Sequence, residues 1–312
     1  MEDGITTIDT GFGDRARFCA AYLVVDAGRA AFIDCGTGRS VPRMLAALDA
    51  AGVARADVDH LVLTHVHLDH AGGAGALLRE LPNARVVLHP RGAPHMVDPA
   101  KLTASARQVY GDAEFERSYG ALVPVPAGRV VEAVEGHVVD VGGRALRCID
   151  APGHARHHLA VWDARTRGWF TGDSFGLSYR EFDTARGAMA IPTTSPVQFD
   201  PVEMRGTIER LLAAKPAHAW VTHYGRIDDV ERIGGELLSL LDAMVAIAGD
   251  LAAGPDRHGR LVAALERLYV DHARGHGVAA AEARVPELLA ADIELNAQGL
   301  EAWLARNARA AR

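Results

Sequence analysis

No uninterrupted apolar run in the sequence approaches the roughly 18 residues of a membrane-spanning helix, so no membrane partner is expected. The chain also lacks any Lys/Arg-rich block, and its 33 basic residues are outnumbered by 40 acidic ones for a net charge of -7. Without a positive stripe to track phosphates, no nucleic-acid partner is expected. Cysteine is scarce: Cys19, Cys35 and Cys148 are an odd number and too widely spaced for a Cys-x-x-Cys motif. They read as small buried hydrophobes. The opening Met-Glu-Asp-Gly-Ile-Thr-Thr has neither the basic start nor the apolar run of a signal peptide, from which a cytoplasmic location is expected.

What is present is ordinary globular material. With 312 residues, 49% hydrophobic and 23% charged, the chain can bury a large core without disulfides. Residues 18–36 read as two apolar strands joined by a tight Asp26-Ala-Gly-Arg29 turn, and Val41 to Ala51 has helical spacing. Strand (60–64), helix (74–81) and strand (85–88) follow, and this alternation predicts an α/β layered fold. Short strand-like runs fill 130–171. Asp200-Pro-Val-Glu203 is a helix start and predicts a helix over 201–214, before a strand at 219–222. Beyond Arg226 only helical periodicity remains, at 230–251, 260–272 and 287–308. Two parts are therefore expected, residues 1–225 and a helical extension over 226–312.

The chemistry is concentrated in His65-Val-His67-Leu-Asp69-His70, at the end of the strand 60–64. Among 15 histidines in 312 residues, chance would produce this pattern with a probability on the order of 10⁻³ to 10⁻². Ring nitrogens and a carboxylate suit zinc, iron or manganese. Along an extended segment His65 and His67 point one way, while a turn carries Asp69 and His70 toward a neighbouring site. Further candidates sit at later strand ends, in Asp150-Ala-Pro-Gly-His154, Thr171-Gly-Asp173-Ser174 and Val221-Thr-His223-Tyr-Gly225.

In that order these motifs resemble the metallo-β-lactamase fold superfamily across residues 18 to 225. The resemblance implies a four-layer αββα sandwich with a C-terminal helical extension. It implies two divalent metal ions, zinc first and iron or manganese by the same donors. His65, His67 and His154 would hold one metal and Asp69, His70 and His223 the other, with Asp173 bridging. Asp34, in Phe-Ile-Asp34-Cys-Gly, would orient a ligand histidine. Two metals roughly 3.5 to 4 Å apart can share a hydroxide as nucleophile at neutral pH, with Asp69 beside it at the reacting centre.

Other signals compete. Gly172-Asp-Ser174-Phe-Gly176 fits the G-x-S-x-G nucleophile elbow, with Asp200 and His223 downstream, but that elbow must open a helix. The turn-rich sequence after it does not. His157 and His158 read as residues supporting the ligands, since the ligand count is already full. His89 and His95 flank a strand end, and His95 joins Tyr179 and Arg180 as candidates for substrate contact. Asn296 interrupts the apolar face Leu289, Ile293, Leu300 and Trp303, either as a hydrogen-bonded buried amide or as part of a helix closing over the metal cleft.

The Asp69-His70 pair argues against β-lactam hydrolysis, a flavin-domain protein is not expected, and the acidic charge fits tRNA poorly. Glyoxalase II and its relatives combine this metal set with C-terminal helices. The expectation is a binuclear hydrolase cleaving a small-molecule carboxylic ester, first of all an acyl thioester. Lactone hydrolysis, phosphodiester hydrolysis and a metal-binding effector role are the alternatives. The C-terminal helices are expected either to cover the pocket or to join a homodimer.

Overall fold

The computed structural model describes residues 3–310. One sheet contains, in order, β1 (Ile5–Asp9), β2 (Ala20–Asp26), β3 (Arg29–Ile33), β4 (Val58–Val62), β5 (Arg85–Leu88) and β6 (Val130–Glu132). Its first three strands are antiparallel and β3 to β6 run parallel. The second sheet contains β7 (Val138–Val141), β8 (Arg144–Asp150), β9 (Leu159–Asp163), β10 (Gly168–Gly172), β11 (His218–Val221) and β12 (Gly225–Ile227), again in order. The α/β sandwich with C-terminal helices expected from the sequence is the observed fold class.

β2 shows why the strands read as apolar runs rather than as alternation. Tyr22 and Val24 face the core between the sheets with Ile33, Val62, Leu146 and Phe170. Ala21 and Leu23 face the opposite way, into a core shared with Met44, Leu48, Leu77 and Leu78. Both faces are covered, so both must be apolar. The β2–β3 turn takes left-handed conformations at Ala27 and Gly28, as a two-residue hairpin requires.

The helices are α1 (Val41–Ala51), α2 (Leu68–Ala71), α3 (Ala74–Glu80), α4 (Ala93–Val97), α5 (Ala100–Tyr110), α6 (Asp112–Ser118), α7 (Pro201–Ala213), α8 (Val230–Asp250), α9 (Arg257–His276) and α10 (Ala281–Ala310). Sequence periodicity missed α4 to α6, because α5 buries only Ala106 and α6 only Phe115. A single buried residue makes no stripe. It also missed β1 and the three-residue β12, which extends strand structure one residue beyond Arg226. Among the described residues no helix is long and apolar enough to cross a membrane.

The chain divides into two compact units that interleave in sequence. The first contains residues 3–150, 157–172 and 219–226; the second contains 151–156, 173–218 and 227–310. In the second unit α10 buries Leu289, Ile293, Ala297 and Leu300, while α9 buries Leu261, Leu265, Tyr269 and Ala273. Asn296 is fully buried in that stripe. Its Oδ1 accepts from the Thr194 backbone N–H (2.8 Å), and its Nδ2 donates to Pro192 O (3.0 Å) and Tyr269 Oη (2.8 Å). It is a hydrogen-bonded buried amide, as the first of the two readings has it.

Candidate metal centre

In the first unit the C-terminal ends of β3, β4 and β11 meet at one carboxylate. Asp34, 1% exposed, follows β3 in a left-handed backbone conformation. Its Oδ1 accepts from the Thr64 N–H (2.8 Å), and its Oδ2 accepts from the Thr64 hydroxyl (2.8 Å) and the Thr222 hydroxyl (3.3 Å). His70 Nδ1 lies 3.0 Å from the same Oδ2. Thr64 and Thr222 each precede a histidine of the expected ligand set, so Asp34 ties both Thr-His steps to one point.

Beyond β4, His67 has an extended backbone and caps α2. His65 Nε2 and His67 Nδ1 lie 2.9 Å apart, close to the N···N edge of about 3.3 Å that zinc bonds of 2.0–2.1 Å would set. The turn into α2 then brings Asp69 beside His70: Asp69 Oδ2 is 3.6 Å from His70 Nε2 and 3.3 Å from His223 Nε2. His223 Nδ1 donates to Phe18 O at 2.9 Å. The first unit thus gathers His65, His67, Asp69, His70, His223 and Asp34.

The second unit brings His154 and Asp173 together. His154 Nε2 is 3.4 Å from Asp173 Oδ2, and its Nδ1 donates to Thr193 O at 3.3 Å. Ser195 donates to the His154 carbonyl at 2.6 Å. Gly153 is required by close approach: a Cβ there would lie 2.3 Å from Met204 Cα in the first turn of α7, and its φ is +127°. The same turn is capped by Asp200, whose side chain accepts from Val202 and Glu203 N–H and whose own N–H donates to Gly153 O (2.8 Å). The Pro-Gly-His segment is held by a helix start that lies far from it in sequence.

These hydrogen bonds fix the chemistry of the donors. A neutral imidazole donates through one nitrogen and presents a lone pair at the other. His70, His223 and His154 each commit Nδ1–H to an oxygen, so each presents the Nε2 lone pair, and each Nε2 faces a carboxylate oxygen. Lone pairs converging on lone pairs repel unless a cation lies among them. The donor set therefore fits a borderline divalent metal with nitrogen and oxygen ligands.

The remaining candidates are distributed as follows. His158 stacks on His65 at 4.7 Å, and His157 lies 5.8 Å from the His67 ring and 6.4 Å from His95. His89 sits 3.5 Å from Asp150, and burial lowers its pKa. In the second unit Tyr179, 2% exposed, donates to Asp292 Oδ1 at 3.2 Å, while Arg180 donates to the Ser178 carbonyl at 2.6 Å. Ser174 is buried and no α-helix opens at it, the next α-helix being α7 from Pro201, which removes the nucleophile-elbow reading. Cys19, which the sequence did not single out, joins this group: its Sγ, an Asp69 carboxylate oxygen and a His223 ring nitrogen lie within 4.8 Å of one another. Its sequence context carries no spacing signal for this.

The profile of the metallo-beta-lactamase superfamily matches residues 14–226, and the chain belongs to that superfamily, most of whose members are metal-dependent hydrolases. It is 29% identical over 228 residues to the metallo-beta-lactamase fold-containing protein ST1585 of Sulfurisphaera tokodaii, covering 72% of this chain and 79% of that one. The crystal structure of ST1585 superposes with a TM-score of 0.67 at 25% identity, over 95% of this chain and 98% of the other. A hydroxyacylglutathione hydrolase of Synechococcus is 30% identical over 149 residues, 48% of this chain and 45% of its own length. An atrochrysone carboxyl ACP thioesterase of Aspergillus fumigatus is 27% identical over 154 residues, 49% and 38% respectively. The chain thus matches less than half the length of these two hydrolases.

Proposed function

We propose that the chain is a binuclear metal-dependent hydrolase of small-molecule acyl thioesters. His65, His67 and His154 would hold one divalent cation, zinc by donor type, and Asp69, His70 and His223 would hold a second, with Asp173 available to both. The observation that carries this reading is the anchoring of His70, His223 and His154 through Nδ1, which turns each Nε2 lone pair toward a carboxylate. Similarity to a hydroxyacylglutathione hydrolase and an ACP thioesterase supports the thioester over other esters.

When bound, the cations supply water activation at neutral pH and polarise the carbonyl under attack. The chain's own residues do the rest. Asp34 and the Phe18 carbonyl keep His70 and His223 as Nε2 donors. The Asp69 carboxylate takes the proton of the attacking water and returns it to the departing sulfur. Water adds to the carbonyl carbon, the C–S bond breaks, and a carboxylic acid and a thiol leave. Beside Asp69 and His223, the rings of Phe18, Phe12 and Tyr119 form a row with centroids 6.0 and 5.5 Å apart, an apolar surface for the acyl group.

The test is metal analysis of the purified protein together with turnover of thioester, lactone and phosphodiester panels. The expected result is about two equivalents of divalent metal and thioester turnover that chelation abolishes and zinc restores. Chelator-insensitive turnover, or activity confined to lactones or phosphodiesters, overturns the reading.

A further inference from the structure

Each of the three cysteines is fully buried, yet only one thiol lies among metal-capable donors. Cys148 sits in the apolar core between the sheets, where burial pushes its thiol up to about 12. Cys35 donates to His70 O at 3.3 Å, and burial with the neighbouring Asp34 charge raises its thiol as well. Cys19 differs in what surrounds it. It precedes β2, and its backbone carbonyl is held by Thr10 through both N–H (3.0 Å) and hydroxyl (2.8 Å). Its neighbour Phe18 anchors His223 through the carbonyl. Its Sγ is 3.3 Å from the Asp69 carbonyl and shares a 4.8 Å cluster with the Asp69 carboxylate and a His223 ring nitrogen.

We propose that Cys19 supplies a sulfur donor to the metal held by Asp69, His70 and His223. This rests on the proposed metal-binding reading and adds a ligand to it. On binding, the S–H proton now directed at the Asp69 carbonyl leaves to solvent, and a metal–sulfur bond forms in its place. Donor atoms a few ångströms apart match a shared ion, because zinc–sulfur bonds of about 2.3 Å are longer than zinc–nitrogen bonds. Sulfur softens an otherwise nitrogen and oxygen site and shifts its preference toward thiophilic ions.

Cobalt(II) added to the metal-free full chain separates this inference from the reading beneath it. Visible ligand-field bands report binding by any donor, whereas a near-ultraviolet sulfur-to-cobalt charge-transfer band reports a thiolate. Both are expected for the unaltered chain, and the charge-transfer band alone is expected to vanish in Cys19→Ser. In the chain carrying Cys35→Ser and Cys148→Ser, where Cys19 is the only thiol, the band is expected to persist. That second variant decides the matter if Cys19→Ser does not fold. Ligand-field bands without a charge-transfer band, or a band lost with Cys35 or Cys148 rather than Cys19, overturn the proposal. Absence of both bands instead overturns metal binding itself.

Discussion

His70 and Asn296 are both polar side chains with no exposed surface, one in the first unit and one in the second, and they differ in what their polar atoms meet. Asn296 has an acceptor facing a donor and donors facing acceptors: Thr194 N–H, Pro192 O and Tyr269 Oη. Complementary pairing of this kind is what a buried amide needs in order to be structural. His70 meets carboxylate oxygens at both ring nitrogens. Its Nδ1 meets Asp34, while its Nε2 turns toward the Asp69 carboxylate, which His223 faces as well. Burial alone therefore does not distinguish a structural polar residue from a functional one. The sign of the partner does.

Asp69→Ala tests the contrast most severely. It removes the carboxylate on which two histidines converge, and turnover is expected to fall by at least about 10²- to 10³-fold with the thermal midpoint little changed. A hydrolytic assay beside calorimetry checks both halves. Asn296→Ala should behave in the reverse way. Leaving Thr194 N–H, Pro192 O and Tyr269 Oη without their partner is expected to cost about 2–4 kcal/mol, read by urea unfolding, while metal content per folded chain stays constant. If Asn296→Ala instead strips metal from a stable protein, the distinction drawn above is wrong.

Asp34→Asn is subtler, because it keeps the shape but turns one of two acceptor oxygens into a donor, so Thr64, Thr222 and His70 can no longer all be accepted. Metal affinity is expected to drop about 10- to 100-fold, as for other residues that orient metal-binding histidines, measurable by competition with a chromophoric chelator. The smallest effect concerns pH. Hydrogen bonds that His258 donates to Glu294 and Glu301 raise its pKa, and its ring nitrogens lie 3.0 Å from both carboxylates. A raised histidine contributes stability that is complete below its unfolded pKa of about 6.5 and is lost as pH rises through the folded value. Since the side chain is 40% exposed, solvent screening limits this to about 0.5 kcal/mol. Burial lowers His60 and His272, so their contributions have the opposite sense, present above about 6.5 and lost as pH falls. Unfolding curves of His258→Gln at mildly acid and mildly alkaline pH should differ from those of the unaltered chain only on the acid side.

Much of the scaffold was legible without coordinates. The β2–β3 hairpin, α1, β5 and α7 fall where apolar runs, helical spacing and the Asp200 cap predict them. Where the pattern was weak, it failed for a definite reason: α5 and α6 bury one residue each, and β12 is three residues long. The seven ligand candidates were also legible, since ring nitrogens and carboxylates at strand ends carry their chemistry in the residue type. Their anchors were not. Two of the three oxygens that hold Nδ1 are backbone carbonyls, those of Phe18 and Thr193, and a carbonyl has no signature in the sequence.

The sequence by itself determined the α/β alternation, the elements with a strong apolar pattern and the seven nitrogen and oxygen donors, because hydrophobic period and residue type are local properties of the chain. Only the tertiary structure decided how the donors are used. It joined His223 to Phe18 across two hundred residues, tied Thr64 and Thr222 to Asp34, and separated Cys19 from the two thiols buried elsewhere. The direction in which a lone pair points depends on the group hydrogen-bonded to the far side of the ring, and that group is brought there by the fold.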